Sequence, residues 1–375
     1  MFLGLSLVSF DVKVRILSNK KLNNVVLTPI NDSLILMDGK EFKNPIKIYA
    51  YNDEVKVDFM GKLVLKKKNV DISIKEEAKI KFTGGERYYK GNLNFKSVGG
   101  YLFIVNSINI EDYVAAVAAK ETANMKNFEA IKANVIAIRT YAIAAANRHI
   151  KEGYNFCDLT HCQLYVGFKD ISEKIYKAVK DTEGVIITYK GKPIWAMYHS
   201  VCGGRTETGF DVWGYDTMPY LVSVRDEING KYFCSSAWGY RWRTKISIKK
   251  FESFLKKGII KKNEKFINIG NVYYTDGGRV REFEIITNRR KISISGINFY
   301  HRIGKALGWL VIKSTAFEIT REKKYIIFNG KGYGHGAGMC QAGSDGMAGF
   351  GYDYKDILKH YYKDIKIVKF DYGNN

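Results

Sequence analysis

The sequence is short of chain breakers and cross-links. It holds four prolines and five cysteines in 375 residues, with no low-complexity tract and no fixed-period repeat. The lack of repeats and biased tracts excludes solenoids and long disordered linkers. The cysteines (Cys157, Cys162, Cys202, Cys234 and Cys340) are too few for a disulfide scaffold, and an odd number leaves at least one unpaired. No run approaches the roughly 18 to 20 apolar residues that cross a bilayer, so no internal membrane span is expected. The opening Met1–Phe10 is apolar like a signal region, yet it is short and no basic segment precedes it. It reads either as the tail of an export signal that begins upstream or as a first buried strand.

Acidic residues are also scarce: 38 Asp and Glu face 60 Lys and Arg, a formal charge of +22. That excess favours an anionic partner such as nucleic acid, anionic lipid or a bacterial wall, without choosing among them. The lysines are scattered along the chain, so a solvated basic surface explains them as well as a binding stripe does. Basic and aromatic residues form no coherent stacking platform, and specific nucleic-acid binding is not expected. With 46% apolar and 14% aromatic residues the chain is rich enough for sizeable cores, and its length suits roughly two domains of about 150 residues each.

An α+β fold is expected, with a β-rich N-terminal region, a helical catalytic segment with mixed strands, and a smaller accessory α/β insertion. Residues 1–106 carry alternating β-branched and aromatic runs (Lys13–Leu17, Val25–Leu27, Tyr101–Val105) between Asn, Asp and Gly turns. Residues 107–240 form the core. Asn109 is placed to cap a first helix and Asn127 a second, whose Ile131, Val135, Ile138, Ala142 and Ala145 predict packing by one face. Strands are expected at 185–189 and 194–198. Residues 241–325 read as the accessory domain, with a helix near 249–256 and a strand near 283–286. Residues 326–375, after a strand near 325–328, hold a glycine-rich segment and a last helix that Asp353 is placed to cap, completing the core.

Three groups of residues carry chemistry. On the first helix the apolar positions Ile110, Val114 and Val117 are followed, at the next place in the pattern, by Glu121. A carboxyl group in a core-facing slot keeps its proton more readily, as a general acid requires. The alternative is that the helix has ended and Glu121 reaches water or pairs with Lys120 or Arg139. Second, Gly330, Gly332, Gly334, Gly336 and Gly338 alternate with larger residues, so an extended strand here presents one bare face for close approach and sets Tyr333 and His335 on the other. No Gly-Lys-Ser/Thr element follows, which argues against a nucleotide loop. Third, His149, Cys157, His161 and Cys162 form the ligand set of a closed tetrahedral zinc site of structural type. Cys157 and Cys162 could instead form a disulfide or stay reduced in a core, and His199 and Cys202 are reserve ligands.

Several motifs in order give a resemblance. They are Ile110-Glu111-Asp112-Tyr113, then Glu121, Glu129-Ala130-Ile131-Lys132-Ala133 through Arg139-Thr140-Tyr141, and His161-Cys162-Gln163-Leu164-Tyr165. Further on stand His199–Glu207, Asp211-Val212-Trp213-Gly214, Pro219-Tyr220-Leu221, Gly277-Gly278-Arg279-Val280 and Gly332–Gly343. Over nearly its whole length the sequence resembles the SpoIID/LytB family, stage II sporulation protein D and its relatives. The resemblance implies a lytic transglycosylase, a lyase of peptidoglycan that cuts between N-acetylmuramic acid and N-acetylglucosamine in peptide-stripped glycan strands and leaves 1,6-anhydromuramoyl ends.

It also implies an exported, extracytoplasmic protein with glycan strands as partner and other wall hydrolases as associates. On this resemblance Glu121 is expected to be the catalytic acid and base, with no cofactor needed for the chemistry. The family motifs would bring Gln163, Tyr165, His199, Ser200, Tyr333, His335, Gly336 and Gln341 to the cleft for sugar contacts. Two departures from the family pattern are Thr122-Ala123 in place of Met-Pro and Cys340-Gln341 in place of Ser-Gln. The LytB branch supplies the alternative function, a non-catalytic wall-binding modulator that enhances an amidase.

Overall fold

The computed structural model describes residues 10–214 and 216–372, so nearly all of the apolar opening segment lies outside the described residues. Strand accounts for 39% and helix for 23%, and the fold is α+β as expected. The chain divides into two compact units, 1–124 with 134–187 and 367–375, and 125–133 with 188–366.

The first unit is built on one large, mostly antiparallel sheet. Strand Asp11–Ile16 pairs with Tyr101–Asn109, which pairs with Gly85–Val98 and, through it, Asn69–Phe82. Each buries alternate residues: Val12, Val14 and Ile16 on the first strand, and Val70, Ile72 and Ile74 further in. Strand Phe156–Cys157 docks parallel to Asp11–Ile16, with Arg15 opposite Cys157. Asp158 anchors this join. Its buried carboxylate accepts from the Leu17 and Ser18 amides at 2.8 and 3.2 Å and pairs with Arg87 at 2.7 Å.

The long strand Tyr101–Asn109 turns into a helix with no loop. Asn109 is the cap, its side chain accepting from the Glu111 amide at 2.8 Å, as the sequence predicts. In α1 (Ile110–Glu121) the stripe Ile110, Val114 and Val117 is fully buried. Glu121, however, is half-buried and is the helix's last residue, because Thr122 stops it by returning its hydroxyl to the Ala118 carbonyl at 2.7 Å.

Helix α2 (Phe128–Ala144) departs from the one-face expectation. From Ala133 through Ala142 every residue is buried, including Arg139 at 0% exposure. A helix apolar nearly all round belongs inside. Its one buried cation is matched by Glu111, which takes Arg139 Nε at 2.9 Å and Nη2 at 2.6 Å. Glu111 also accepts from the Gly184 amide at 3.0 Å and the Tyr372 hydroxyl at 2.8 Å. Arg139 is therefore committed to Glu111 rather than to Glu121.

In the second unit, strands Arg241–Ser247, Tyr325–Lys331 and Phe317–Arg321 form one antiparallel sheet, and Phe266–Tyr274, Val280–Thr287 and Lys291–Ser295 another. Helices Ile248–Leu255 and Gly296–Leu307 begin at caps Ser247 and Ser295. Phe251, Phe254, Phe266, Phe283, Phe299, Phe317 and Phe328 share one core. The expected strand at 194–198 reduces to Tyr198–His199, paired in parallel with Met339–Cys340.

The last helix, Tyr354–Tyr361, is capped by Asp353, which accepts from the Lys355 and Asp356 amides at 2.8 and 2.9 Å. Asp353→Ala is expected to lower stability by about 1 kcal/mol, read as a fall in denaturation midpoint. An unchanged midpoint would mean that water replaces the cap.

The glycine-alternating segment is not a strand. Gly332, Gly334, Gly336 and Gly338 all have positive φ (77°, 102°, 91° and 70°), so the chain winds where a ladder was expected. The reason for the glycines is contact with neighbouring backbone and with Arg279. A Cβ on Gly332 would stand 2.7 Å from the Val201 carbonyl oxygen, and one on Gly336 would enter the Arg279 guanidinium.

Candidate functional site

In the first unit Glu121 ends a helix held by a buried aromatic stack. Tyr113 lies 5.4 Å from Phe156 and 5.4 Å from Tyr165, ring centre to ring centre. The Tyr113 hydroxyl donates to Gln163 Oε1 at 3.1 Å, Gln163 Nε2 donates to the Ile138 carbonyl at 3.3 Å, and the Tyr165 hydroxyl donates to Asn106 at 2.6 Å. Gln163 and Tyr165 are buried, at 2% and 0% exposure. As placed, these two expected sugar contacts brace the helix from inside, because their polar atoms are used by Tyr113, Ile138 and Asn106.

His149, Cys157, His161 and Cys162 come together, with one ligand atom from each lying within 4.8 Å of the others. The Cys157 and Cys162 sulfurs are 3.5 Å apart, and His161 Nδ1 is 3.7 and 3.6 Å from them. Cys157 sits low, at about 5, chiefly through its hydrogen bond with Cys162, whose own thiol is raised by the same bond. His149 supplies the test of fit. Its Nδ1 is engaged by Glu152 at 2.5 Å, while its buried Nε2 has no hydrogen-bond partner. A carboxylate on one ring nitrogen with the other left open is how metal-binding histidines are oriented. Of the two reserve ligands, His199 joins no such group among the described residues, and Cys202 joins a different one.

The second unit gathers the remaining expected residues. His199 is buried, donates Nδ1–H to the Ala337 carbonyl at 3.1 Å and leaves Nε2 without a partner. Its ring is 5.4 Å from His335. His335 accepts from the Ala337 amide through Nδ1 at 3.2 Å and donates Nε2–H to the Tyr198 carbonyl at 2.9 Å, which fixes a neutral tautomer. Burial, then the nearby Arg279 charge, lowers its pKa to about 4. Ser200 is exposed, Tyr333 is half-buried beside Trp238, and Gln341 is the buried first residue of helix Gln341–Gly349.

Sequence reasoning passed over Glu207 and Arg279, which lie under this group. Glu207 accepts from the Thr275 hydroxyl at 2.5 Å, and burial raises its pKa. Arg279 is buried and donates to the Gly334 carbonyl at 3.2 Å. With His335, Asp211 and Thr315 they line one small cavity. Their signal in the sequence was slight, each standing inside a longer motif with no spacing rule attached. Also passed over was the group of Cys202, Asp226, Cys234 and Cys340, whose ligand atoms lie within 4.8 Å of one another.

Similarity to known proteins follows these two units. The family model described as Stage II sporulation protein (SpoIID) matches residues 99–189, and one described as Domain of unknown function (DUF8618) matches 229–338. An uncharacterized protein of Brachyspira hyodysenteriae (strain ATCC 49526 / WA1) is 30% identical over 371 residues, 95% of either chain. The chain belongs to the stage II sporulation protein D family. Stage II sporulation protein D of Bacillus amyloliquefaciens is 28% identical over 285 residues, 71% of this chain and 76% of that one. An amidase enhancer of Bacillus subtilis (strain 168) is 26% identical over 279 residues, 65% of this chain but 38% of that protein. The SpoIID match takes in Glu121, Gln163, Tyr165 and the His149–Cys162 quartet. The second match takes in the phenylalanine core, Cys234, Tyr333, His335 and Gly336.

Proposed function

We propose that the chain acts on the bacterial cell wall outside the cytoplasm as a lytic transglycosylase, cutting the bond between N-acetylmuramic acid and N-acetylglucosamine in glycan strands. One observation carries the reading: inside the segment matched by the SpoIID model, Glu121 ends a helix otherwise packed into the core, half-exposed and braced by Tyr113 and Gln163. In the reaction, protonated Glu121 gives its proton to the glycosidic oxygen as the C1–O bond breaks. The carboxylate so formed then takes the proton of the muramoyl O6 hydroxyl as that oxygen bonds C1, which closes the anhydro ring and restores the acid. One residue serves both steps, and the substrate's own hydroxyl stands in for the second carboxylate of most glycosidases. His199, Ser200, Tyr333, His335 and Gln341 remain the candidates for sugar contacts. The charge of +22 suits an anionic wall.

In this reading His149, Cys157, His161 and Cys162 hold one zinc ion with a structural task. Four protein ligands leave no open position, so the ion ties the 149–162 loop to the sheet edge through Cys157 and takes no part in the chemistry. Protein purified without added metal is expected to hold zinc at this quartet, and Cys157→Ser to lose about one equivalent by elemental analysis. A Cys157–Cys162 disulfide by mass spectrometry would refute it.

The similarity to an amidase enhancer supports a second reading, a non-catalytic wall-binding modulator. Muropeptide analysis after incubation with peptide-stripped glycan separates the two. Anhydro ends mean a transglycosylase, new reducing ends a hydrolase, and no product a binder.

A further inference from the structure

Three thiols and a carboxyl group from distant segments meet in the interior of the second unit. Cys202 follows Tyr198–His199, Asp226 precedes the short strand Glu227–Ile228, Cys234 follows Lys231–Tyr232, and Cys340 caps helix Gln341–Gly349. None is more than 1% exposed. We propose that Cys202, Asp226, Cys234 and Cys340 form a second metal centre, a closed site of three thiolates and one carboxylate for zinc.

The spacing fits such an ion. A tetrahedral zinc with sulfur at about 2.3 Å sets its ligand atoms roughly 3.8 Å apart. Here the Cys202 and Cys234 sulfurs are 3.5 Å apart, Asp226 Oδ2 is 3.1 Å from Cys202 Sγ, and all four ligand atoms fall within 4.8 Å of one another. Sulfur-rich tetrahedral sets select zinc over the hard cations.

The surroundings are arranged for thiolate rather than thiol. The Gly204 amide donates to Cys202 Sγ at 3.2 Å, and the Cys202 and Gly343 amides donate to Cys340 Sγ, both at 3.2 Å. These amide hydrogens point at sulfur, and one of them belongs to the first turn of a helix, where negative charge is favoured. Asp226 is oriented in turn: the buried Tyr361 hydroxyl donates to its Oδ1, which leaves Oδ2 turned to the cysteines. Gly343 keeps that space open, since a Cβ there would stand 2.5 Å from Asp226 Oδ1. A carboxylate ligand with its free oxygen held by a tyrosine is a second layer of support that a plain core would not need.

Charge supplies the need for an ion. Four acidic groups packed in one space with no more than 1% exposure cannot all ionise without a cation between them. A disulfide would use two of the three sulfurs and leave the third, and the carboxyl, unexplained. Because all four positions are filled by protein, the task is structural. The ion would pin the Cys202 turn to Cys340, and so fix both ends of the glycine segment that carries His335.

The test begins with wild-type full-length chain, purified without chelator or added metal and exchanged into cobalt(II). Sulfur-to-metal charge-transfer intensity scales with the thiolates bound. Both centres together hold five cysteines, against two for the His149–Cys162 quartet alone. Intensity for about five thiolates is expected, and intensity for about two or none overturns the proposal. Cys234→Ser is the second arm, and its zinc content should fall by about one equivalent from wild type while Cys157 and Cys162 stay protected from alkylation. Equal zinc in the two proteins, or a Cys202–Cys234 disulfide in the unreduced chain, overturns it as well. Since neither arm reads glycan cleavage, failure here leaves the transglycosylase reading untouched.

Discussion

Glu121→Gln is expected to remove glycan cleavage while leaving the fold intact. The amide keeps the shape of the acid but can neither donate the proton that frees the leaving oxygen nor accept the one from the O6 hydroxyl. General acid and base catalysis contributes about a hundredfold or more at each use, so anhydromuropeptide release should fall by at least about a hundredfold. Activity within about tenfold of wild type would remove Glu121 from the mechanism. The same helix provides the control. Glu111, ten residues earlier, is tied to buried Arg139, the Gly184 amide and Tyr372. Glu111→Gln leaves a buried guanidinium without its counterion, a loss on the order of 3 to 5 kcal/mol. One substitution should therefore spare the melting temperature and abolish turnover, and the other should lower the melting temperature. If both act on stability alone, α1 is scaffold and the wall-binding reading gains.

Local rules carried much of the fold into the sequence. Asn109 and Asp353 cap the helices their positions suggest, and the apolar stripe of α1 lies buried as its spacing requires. The quartet at 149–162 was legible because its four ligands lie close along the chain. The group of Cys202, Asp226, Cys234 and Cys340 was not, since its members come from four segments up to 138 residues apart and only folding brings them together. In the sequence Cys340 stands out as a departure from the family pattern rather than for its chemistry. For α2, the heptad-like stripe was real, but the alanines between its members made the other faces equally fit for burial. At Gln163 and Tyr165 motif membership pointed to the cleft, while burial turned both side chains to Tyr113 and Asn106.

The glycine segment shows the same limit and yields the second large effect. Alternation with larger residues reads as a strand, yet the sign of φ is not written in the spacing. Glycine's access to the left-handed region was the signal to weigh. Gly338→Ala is expected to be strongly destabilising for two separable reasons. The backbone at φ 70° disfavours any L side chain, which costs about 1 kcal/mol or more. The added Cβ also runs into the Met197 carbonyl oxygen. That oxygen cannot yield cheaply, because it accepts from the Met339 amide at 3.0 Å and the Tyr362 hydroxyl at 2.7 Å. Overpacking of this kind adds about 1 to 3 kcal/mol. Gly351 isolates the first term: it has φ 90° but nothing within 4 Å of its missing Cβ, so Gly351→Ala carries the backbone strain alone. The midpoint of denaturation should fall clearly further for Gly338→Ala than for Gly351→Ala. Equal falls would mean that the Met197 carbonyl moves aside freely, and that the close approach of the two segments is not what the glycine is for.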